Sequence, residues 1–317
     1  MDKTIDCVVC GSCVADVLVR PLRLDAPVGR GNTLVVEPIE LATGGIVGNA
    51  GIAMRRLGMR VAALGYVGDD HWGRFLRERL AAEAIDVRCL KNHARAATTT
   101  AVALIDPDGE RSFAYDPGAT DQIDRALLLD GLDLFARSRM ALIGYYSLLP
   151  RLERDLPEIL GAIRERGCGT ALDSAGSGGS MRPLDAILPH LDVYVPSLGE
   201  ARHQTGRRDP RAIVEVYRDH GAEGLLGVKL GSRGAMLSPA SGEYAAIDPV
   251  PPPGAVVDTT GAGDCFYAGL LTGLLRDLPL AEAGRLAAAC GALSTTAKGA
   301  TTALGSYDEI ARLAGVA

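Results

Sequence analysis

The chain has 317 residues, 47% of them hydrophobic and 23% charged, an ordinary globular composition and enough for one large α/β domain or two smaller ones. The formal net charge of −6 argues against a nucleic-acid-binding surface, because such surfaces are basic. No charged-then-apolar leader opens the sequence and no apolar run approaches ~18 residues. We therefore expect a cytoplasmic protein with neither nucleic-acid nor membrane partners.

The first predicted element is a buried strand in the β-branched apolar run that begins at Ile5. Cys7, Cys10 and Cys13 follow one another at a spacing that suggests a metal cluster. Residues three apart in a strand point to opposite faces, so these thiols are not expected to converge on one ion. A metal cluster and structural disulfides are both disfavoured.

Asp16 is the only charged residue between Gly11 and Arg20, in a stretch that suits a second strand. A carboxylate can accept hydrogen bonds from two hydroxyl groups at once, which makes Asp16 a candidate ligand for a sugar. The alternative is an exposed strand carboxylate. A loop over 22–30 and a further strand over 32–41 are predicted next.

A double glycine, Gly44 and Gly45, opens an apolar helix that is predicted to end at Gly58, a C-cap position. Gly45 would let a substrate lie against bare backbone, and Asn49 would offer it both a donor and an acceptor. The predicted elements that follow are a strand over 60–67, a helix over 72–84 and a strand near Val87.

A hairpin is predicted for 98–116, because the turn sequence Asp106–Gly109 separates two strand-like segments. Together with the strands at Asp16 and 32–41, it would form a small sheet standing off the main domain, with strands inserted at about 12–41 and 96–118. Such a sheet needs its apolar face covered. A bound substrate could cover one side, and pairing with a second subunit could cover the other.

From residue 139 onward strands and helices alternate, which predicts a parallel sheet covered by helices on both faces. The predicted elements are strands at 140–144, 169–173, 192–195 and 225–237 (the last with a glycine turn), and helices at 151–166, from Ser197, from Asp209 and at 287–297.

The segment Asp258–Phe266, with the sequence DTTGAGDCF, lies between a proline-rich passage and a buried helix. Glycines at a helix N-terminus make a ready anion site. A carboxylate there, Asp264, could deprotonate an alcohol that attacks a phosphoryl group held by those amides. The alternative is that Thr260 or Asp264 only caps the helix.

These nine residues closely resemble the C-terminal signature of the PfkB/ribokinase family of carbohydrate and nucleoside kinases. The Gly44-Gly45-x-x-x-Asn49 segment resembles the family's N-terminal signature, and Gly11-Ser12-x-x-x-Asp16 resembles its sugar-binding aspartate. No Walker A pattern is present, which disfavours a P-loop fold. The resemblance implies a ribokinase-like three-layer α/β sandwich over 1–317, with a central, mostly parallel sheet, a small β-sheet lid that is often a dimer interface, and ATP-dependent phosphorylation of a sugar hydroxyl.

The resemblance also implies roles for individual residues. Asp264 would be the general base, and the amides of Gly261, Ala262 and Gly263 would form the anion hole. Substrate would be bound by Asp16, Gly44, Gly45 and Asn49, and we expect Tyr146, which is particular to this chain, to join them. The nucleotide would be bound by Lys229, Gly231, Gly234, Thr260, Gly261 and Gly263. Glu200 would organise Mg²⁺ through water, and Asp258, with backbone carbonyls near 298–300, would enclose a monovalent cation such as K⁺.

Departures from the family pattern concern the substrate. Val14 replaces an asparagine, Ile46 replaces a lysine, and the mid-chain strand is followed by 144–147, with two tyrosines where a glutamate is usual. A pocket with aromatic rings and few charges weakens a ribose assignment and disfavours a phosphorylated sugar. It leaves fructose-like and other sugars open, with an adenosine-like nucleoside stacked on a tyrosine as the alternative. A catalytically silent sugar-binding protein of the same fold is the competing hypothesis.

Overall fold

The structure is a computed structural model that describes residues 2–23, 33–107 and 111–316. Most of the predicted loop over 22–30, the first residue of the strand predicted at 32–41, and residues 108–110 of the predicted hairpin lie outside the described residues. Of the helices in the described ranges, none has the length and apolar character needed to cross a membrane.

The strands of the described residues, in chain order, are β1 (Ile5–Cys10), β2 (Val14–Val19), β3 (Glu40–Gly44), β4 (Val61–Gly68), β5 (Asp86–His93), β6 (Thr100–Ile105), β7 (Arg111–Asp116), β8 (Ser138–Ile143), β9 (Gly169–Leu172), β10 (Val193–Tyr194), β11 (Leu225–Lys229), β12 (Ala235–Ser238) and β13 (Ala245–Ile247). The α-helices are α1 (Gly45–Arg56), α2 (His71–Ala82), α3 (Arg125–Asp130), α4 (Leu132–Ala136), α5 (Leu156–Glu165), α6 (Met181–Ile187), α7 (Leu198–Thr205), α8 (Pro210–Asp219), α9 (Ala262–Leu275), α10 (Leu280–Ser294) and α11 (Tyr307–Ala314).

Nine of these strands form the large sheet, in the order β13-β12-β11-β10-β9-β8-β1-β4-β5. Pairing between neighbours is parallel along the run β5-β4-β1-β8-β9-β10-β11. At the other edge, β12 pairs antiparallel with β11, and β13 pairs antiparallel with β12. From β1 the chain runs first to β4 and β5 on one side and then to β8 and its successors on the other. The sheet therefore reverses its winding between β1 and β8, the position at which α/β sheets bind ligands beyond the carboxyl ends of their strands.

Helices cover both faces of this sheet, as the alternating pattern predicts. Cys7 and Val9 pack in one core with buried residues of α1, α2, α9, α10 and α11. Val8 and Cys10 pack in the other core with α3, α4, α5 and α8. Neighbouring residues of β1 thus alternate between the two cores, which places the Cys7 and Cys10 thiols on opposite faces of the sheet.

The other four strands form a small separate sheet, in the order β3-β2-β6-β7, which we call the lid. Its register places Asp16 opposite Ala42 and Ala101 on one face. Val17 lies opposite Leu41 and Val102 on the other face, which we call the outer face. The hairpin prediction is confirmed by the antiparallel pairing of β6 with β7.

Two predicted boundaries are wrong. The strand predicted from residue 32 begins only at Glu40, because Pro38 has no N–H with which to continue a ladder. The helix predicted over 151–166 begins at Leu156, and Pro157 lies in its first turn, a favoured position for proline.

The small-residue helix predicted at 287–297 is the second half of a longer helix, α10. The short helices α3, α4, α6 and α11 and the edge strand β13 have no counterpart in the sequence-based prediction. Most of these are too short to show a clear apolar period.

Candidate active site

A cavity of about 300 Å³ separates the lid from the N-terminus of α9. Asp16, Leu18 and Phe113 line it on the lid side, and Asn49 and Thr260 line it on the side of the large domain. The two signature segments, about 210 residues apart in sequence, therefore meet on the same side of one cavity, and the lid faces them.

The carboxylate of Asp16 is in close contact with the backbone of Gly44, the residue that precedes α1. A Cβ built on Gly44 would overlap the Asp16 carboxylate, so glycine is required for this approach. Gly45 has a φ of +71°, and a Cβ there would overlap the backbone of Ser12, just after β1. Burial raises the pKa of Asp16 from 3.8 to about 7, as expected for a carboxylate removed from water without a cationic partner.

Asp264 is the acid of the first turn of α9 and is 5% exposed. Its Oδ2 atom accepts hydrogen bonds from Asn49 Nδ2 at 2.8 Å and from the Tyr145 hydroxyl at 2.6 Å. Asn49 lines the cavity, so Asp264 lies immediately behind the cavity wall. Burial raises the pKa of Asp264, and the Tyr145 and Asn49 hydrogen bonds and the Lys229 charge partly oppose that rise.

The glycines that begin α9 are fixed by close contacts. Gly261 is the N-cap residue with a φ of +74°, and a Cβ on it would overlap the Cβ of Ala300. A Cβ on Gly263 would lie 3.3 Å from Lys229 Nζ. The N-terminal amides of α9 and a lysine ammonium therefore lie side by side, an arrangement suited to an anion.

Lys229 and Asp173 form a buried ion pair next to these amides. Lys229, at the end of β11, lies 3.0 Å from an oxygen of Asp173, the residue after β9, and 5.1 Å above the Tyr267 ring. Burial lowers the pKa of Lys229, but the charges of Asp173 and Glu200 outweigh it and leave this pKa above its ordinary value. Burial raises the pKa of Asp173, Lys229 opposes this rise, and the charges of Asp264 and Glu200 add to it, which together give a pKa of about 7.

Glu200 lies in the first turn of α7, where it forms a capping box with Ser197. The Ser197 N–H donates to the Glu200 carboxylate at 2.6 Å, and the Glu200 N–H donates to Ser197 Oγ at 3.3 Å. A β-bridge joins Ser197 to Lys229, so this helix end adjoins the Lys229–Asp173 pair. Glu200 therefore caps α7 and also acts electrostatically on Lys229 in the site.

Gly231 and Gly234 form the turn between β11 and β12, and the Leu230 N–H donates to the Gly234 carbonyl at 2.8 Å. Gly234 has a φ of +83°, and a Cβ there would overlap the Ile247 carbonyl. Gly231 has open space around it, with no atom within 4 Å of a built Cβ. This turn follows Lys229 directly, next to the glycines of α9.

The structure does not bring Tyr146 to this cluster. Tyr146 is completely buried in the core with α5 and α8, where its hydroxyl donates to the Gly178 carbonyl at 2.9 Å. Tyr145, in a left-handed conformation with a φ of +59°, directs its ring to Asp264 instead. The sequence-based prediction named Tyr146 as the aromatic residue of the site, which is one residue too late. At the left-handed turn after β8, the Tyr145 side chain faces the site and the Tyr146 side chain faces the core.

Two other participants were missed. Asp173 carries a detectable signal, because it follows one parallel strand just as Lys229 ends another, and such positions meet at one edge of a sheet. Arg111 carries none, because it lies on the lid, nearly 150 residues before the glycine loop, and meets that loop only in the folded structure. Its guanidinium lies 2.6 Å from an Asp258 oxygen and also donates to Thr260 Oγ1.

Known proteins resemble this chain over most of its length. Residues 4–306 match the family model described as pfkB family carbohydrate kinase. Aminoimidazole riboside kinase of Salmonella typhimurium is 33% identical over 286 residues, which cover 84% of this chain and 86% of that protein. Fructokinase of Klebsiella pneumoniae is 33% identical over 285 residues, covering 85% and 91%. Ribokinase of Haemophilus influenzae is 28% identical over 317 residues, covering 98% and 97%.

Solved structures share the fold over the whole chain. Arabidopsis thaliana ribokinase complexed with ribose and ATP superposes with a TM-score of 0.85 at 24% identity, covering 100% of both chains. A microbiome-derived acarbose kinase superposes with a TM-score of 0.81 at 24% identity, covering 98% of this chain and 99% of that one. The large sheet with a separate lid is therefore the ribokinase architecture.

Proposed function

Because the chain belongs to the PfkB family of carbohydrate kinases, we propose that it transfers the terminal phosphoryl group of ATP to a hydroxyl of a sugar or sugar-like substrate. The single observation that supports this most is the Asn49–Asp264 hydrogen bond of 2.8 Å. It places a candidate base directly behind the wall of a cavity whose opposite side carries Asp16. The whole chain, 1–317, would act as one kinase domain.

In this proposal the oxygen of the substrate hydroxyl forms a bond to the γ-phosphorus of ATP, and Asp264 accepts the proton of that hydroxyl. The bond from that phosphorus to the bridging oxygen breaks, and ADP leaves with the electron pair. A hydroxyl that approaches Asp264 must displace Asn49 or Tyr145 from Oδ2, or use the other carboxylate oxygen. The amides at Gly261, Ala262 and Gly263 and the Lys229 ammonium would stabilise charge on the moving group.

ATP would lie along the turn of Gly231 and Gly234 and the segment at Thr260. The Arabidopsis ribokinase whose fold this chain shares was solved with ATP. Among the described residues no three carboxylate, imidazole or thiol groups converge to hold a metal ion, so Mg²⁺ would be bound mainly by the phosphates of ATP and by water, as is usual for this cation. Glu200 would organise it through water. When bound, Mg²⁺ neutralises phosphate charge.

The substrate would be bound between the lid and α1. Asp16 would accept from two hydroxyls, Gly44 and Gly45 would let the substrate approach the backbone, and Asn49 would offer a further polar contact. Arg20, a basic side chain that lines the cavity from the lid, is paired with Glu40 at 2.7 Å and with Glu37 at 3.2 Å. This pairing favours an unphosphorylated substrate.

A nucleoside is the second candidate, and one feature of the cavity favours it. Leu18, Ile105 and Phe113 form an apolar wall on the lid side, against which a flat base could pack. The Salmonella relative at 33% identity is a riboside kinase. Tyr145, which is hydrogen-bonded to Asp264, would take the place first expected for Tyr146 near the substrate.

The lid would also form a homodimer. Its outer face carries the half-buried Val17, Val19, Val102 and Leu104 and the exposed Leu41. An apolar sheet face of this kind needs a cover, and the corresponding face of a second subunit would supply one.

The experiment that tests the proposal is ADP release measured across a panel of sugars and nucleosides with Mg²⁺ and ATP. We expect turnover with at least one unphosphorylated sugar, and the kcat/KM ranking would decide between sugar and nucleoside. Tight binding of a sugar with no turnover of any compound would favour the catalytically silent alternative. Turnover confined to phosphorylated sugars would contradict the substrate assignment.

A further inference from the structure

Arg111 bridges the lid and the glycine loop across the cavity. It is the first residue of β7, paired with Ile105, and both residues line the cavity. One guanidinium nitrogen lies 2.6 Å from Asp258 Oδ1, and the other donates to Thr260 Oγ1. The side chains of this pair are 18% and 7% exposed, so the contact is largely shielded from water.

Asp258 joins two segments of the chain that meet beneath this contact. Its Oδ1 accepts the Thr260 N–H at 2.8 Å, and its Oδ2 accepts the Gly299 N–H at 3.0 Å. Burial raises the pKa of Asp258, but these two amides and the Arg111 guanidinium outweigh it and hold this pKa below its ordinary value. The carboxylate is therefore ionised, and each of its oxygens already faces a donor.

Donors also face three backbone oxygens at or just beyond the 298–300 segment that the resemblance assigns to a monovalent cation. The Gly299 carbonyl accepts from the Thr302 N–H at 3.3 Å, and the Ala300 carbonyl accepts from the Cys265 thiol at 3.2 Å. The Thr301 carbonyl accepts from Arg56. A cation site requires oxygen lone pairs that converge on one point, and here the Arg111 guanidinium already lies against the carboxylate that would anchor such a site. These residues do not fit the K⁺ site that the family resemblance implies.

We propose that Arg111 takes the place of a monovalent cation beside Asp258, so that lid closure, and not potassium, neutralises this carboxylate and orders the loop before Asp264. Arg111 is then a positioning residue. It acts through Asp258 and Thr260 on the Gly261–Gly263 amides. This inference deepens the proposed function, because it assigns the element that completes the same site.

The test measures the kcat and the Tm of the full-length protein in KCl, NaCl and choline chloride at equal ionic strength. For the unsubstituted protein we expect kcat to agree within about two-fold and the Tm to agree within about 1 °C in all three salts. For Arg111→Gln we expect kcat in choline to fall at least about ten-fold, and KCl to restore part of it and raise the Tm. Arg111→Lys should retain more activity than Arg111→Gln, and millimolar guanidinium should partly rescue Arg111→Gln.

The matched control is Arg125→Gln, which removes an exposed pair with Glu158 on the opposite side of the sheet and should show no change in cation response. Activation of the unsubstituted protein by K⁺, with a K⁺-dependent rise in Tm, would overturn the proposal. So would an Arg111→Gln variant whose kcat or Tm does not respond to K⁺. The Tm measurements need no turnover, so failure of the kinase assignment would be seen separately. If Arg111→Gln does not fold, the response of the unsubstituted protein to K⁺ still decides whether the protein needs this cation.

Discussion

At the scale of single residues, the site places two carboxylates in environments that raise the pKa of each. Burial acts on both Asp16 and Asp264, but only Asp264 has hydrogen-bond donors and a nearby lysine that favour its charged form. Asp16 has no such partner among the causes of its shift. In the ligand-free protein Asp16 is therefore a cost to stability at neutral pH, which hydroxyl donors of a bound substrate would relieve.

This cost predicts how stability depends on pH. The unfolded chain ionises this carboxyl near pH 3.8 and the folded protein near pH 7, so stability falls as pH rises between these values. Asp16→Asn removes this fall. We expect the Tm of the variant minus the Tm of the unsubstituted protein to increase by at least about 2 °C between pH 4 and pH 7 and to level off above pH 7. A Tm difference that is independent of pH in differential scanning calorimetry would contradict the burial of Asp16.

At the scale of elements, the N-terminus of α7 has two roles that can be separated. Glu200 caps the helix through Ser197 and is also proposed to organise Mg²⁺. Glu200→Gln keeps an oxygen for the Ser197 N–H but loses the charge. We expect its Tm to stay within about 1 °C, and the Mg²⁺ concentration for half-maximal activity to rise at least about five-fold.

The control for this variant is the same capping box at α11, formed by Ser306 and Glu309. Glu200→Ala and Glu309→Ala should both lower the Tm, by about 1–2 °C for each kcal/mol of lost capping, but only Glu200→Ala should change the Mg²⁺ requirement. An unchanged Mg²⁺ requirement in Glu200→Gln would reduce Glu200 to a capping residue.

The N-terminus of α9 offers a second test at this scale. Gly261→Ala would place a Cβ at a φ of +74° and against Ala300, whereas Gly242→Ala would have nearly the same φ, +75°, with open space around it. The left-handed conformation costs roughly 1–2 kcal/mol in both variants. Only Gly261→Ala should also displace the anion-binding amides. We therefore expect kcat to fall at least ten-fold in that variant alone, which corresponds to an increase of about 1.4 kcal/mol in the activation free energy. Equal effects on kcat in the two variants would contradict the role of this loop.

At the scale of the whole molecule, the outer face of the lid predicts self-association. Val102→Asp places a charge at the centre of that face, opposite Val17. We expect sedimentation velocity to show a dimer for the unsubstituted protein and a monomer for this variant. Leu148→Asp, at an apolar residue that is 44% exposed outside the lid, should remain dimeric. A monomeric unsubstituted protein would contradict the prediction.

The sequence predicts this architecture well where the physical signal is local. The apolar runs of β1 and β4, the double glycine before α1 and the hairpin of β6 and β7 each depend on residues close in sequence. The contact of Tyr145 with Asp264 depends on one left-handed residue after β8, and the bridge from Arg111 to Asp258 depends on lid closure. Neither has a sequence period, so both required the three-dimensional structure.

The central claim is that Asp264 removes the proton from the attacking hydroxyl, and the most direct measurement is the steady-state kinetics of Asp264→Asn. The account predicts that kcat falls at least ~10²-fold, the loss typical of removing general-base catalysis, while ATP affinity measured by calorimetry changes little. Asp130→Asn, which removes an exposed carboxylate paired with Lys91, should retain full turnover. An Asp264→Asn variant with near-normal kcat would contradict the assignment.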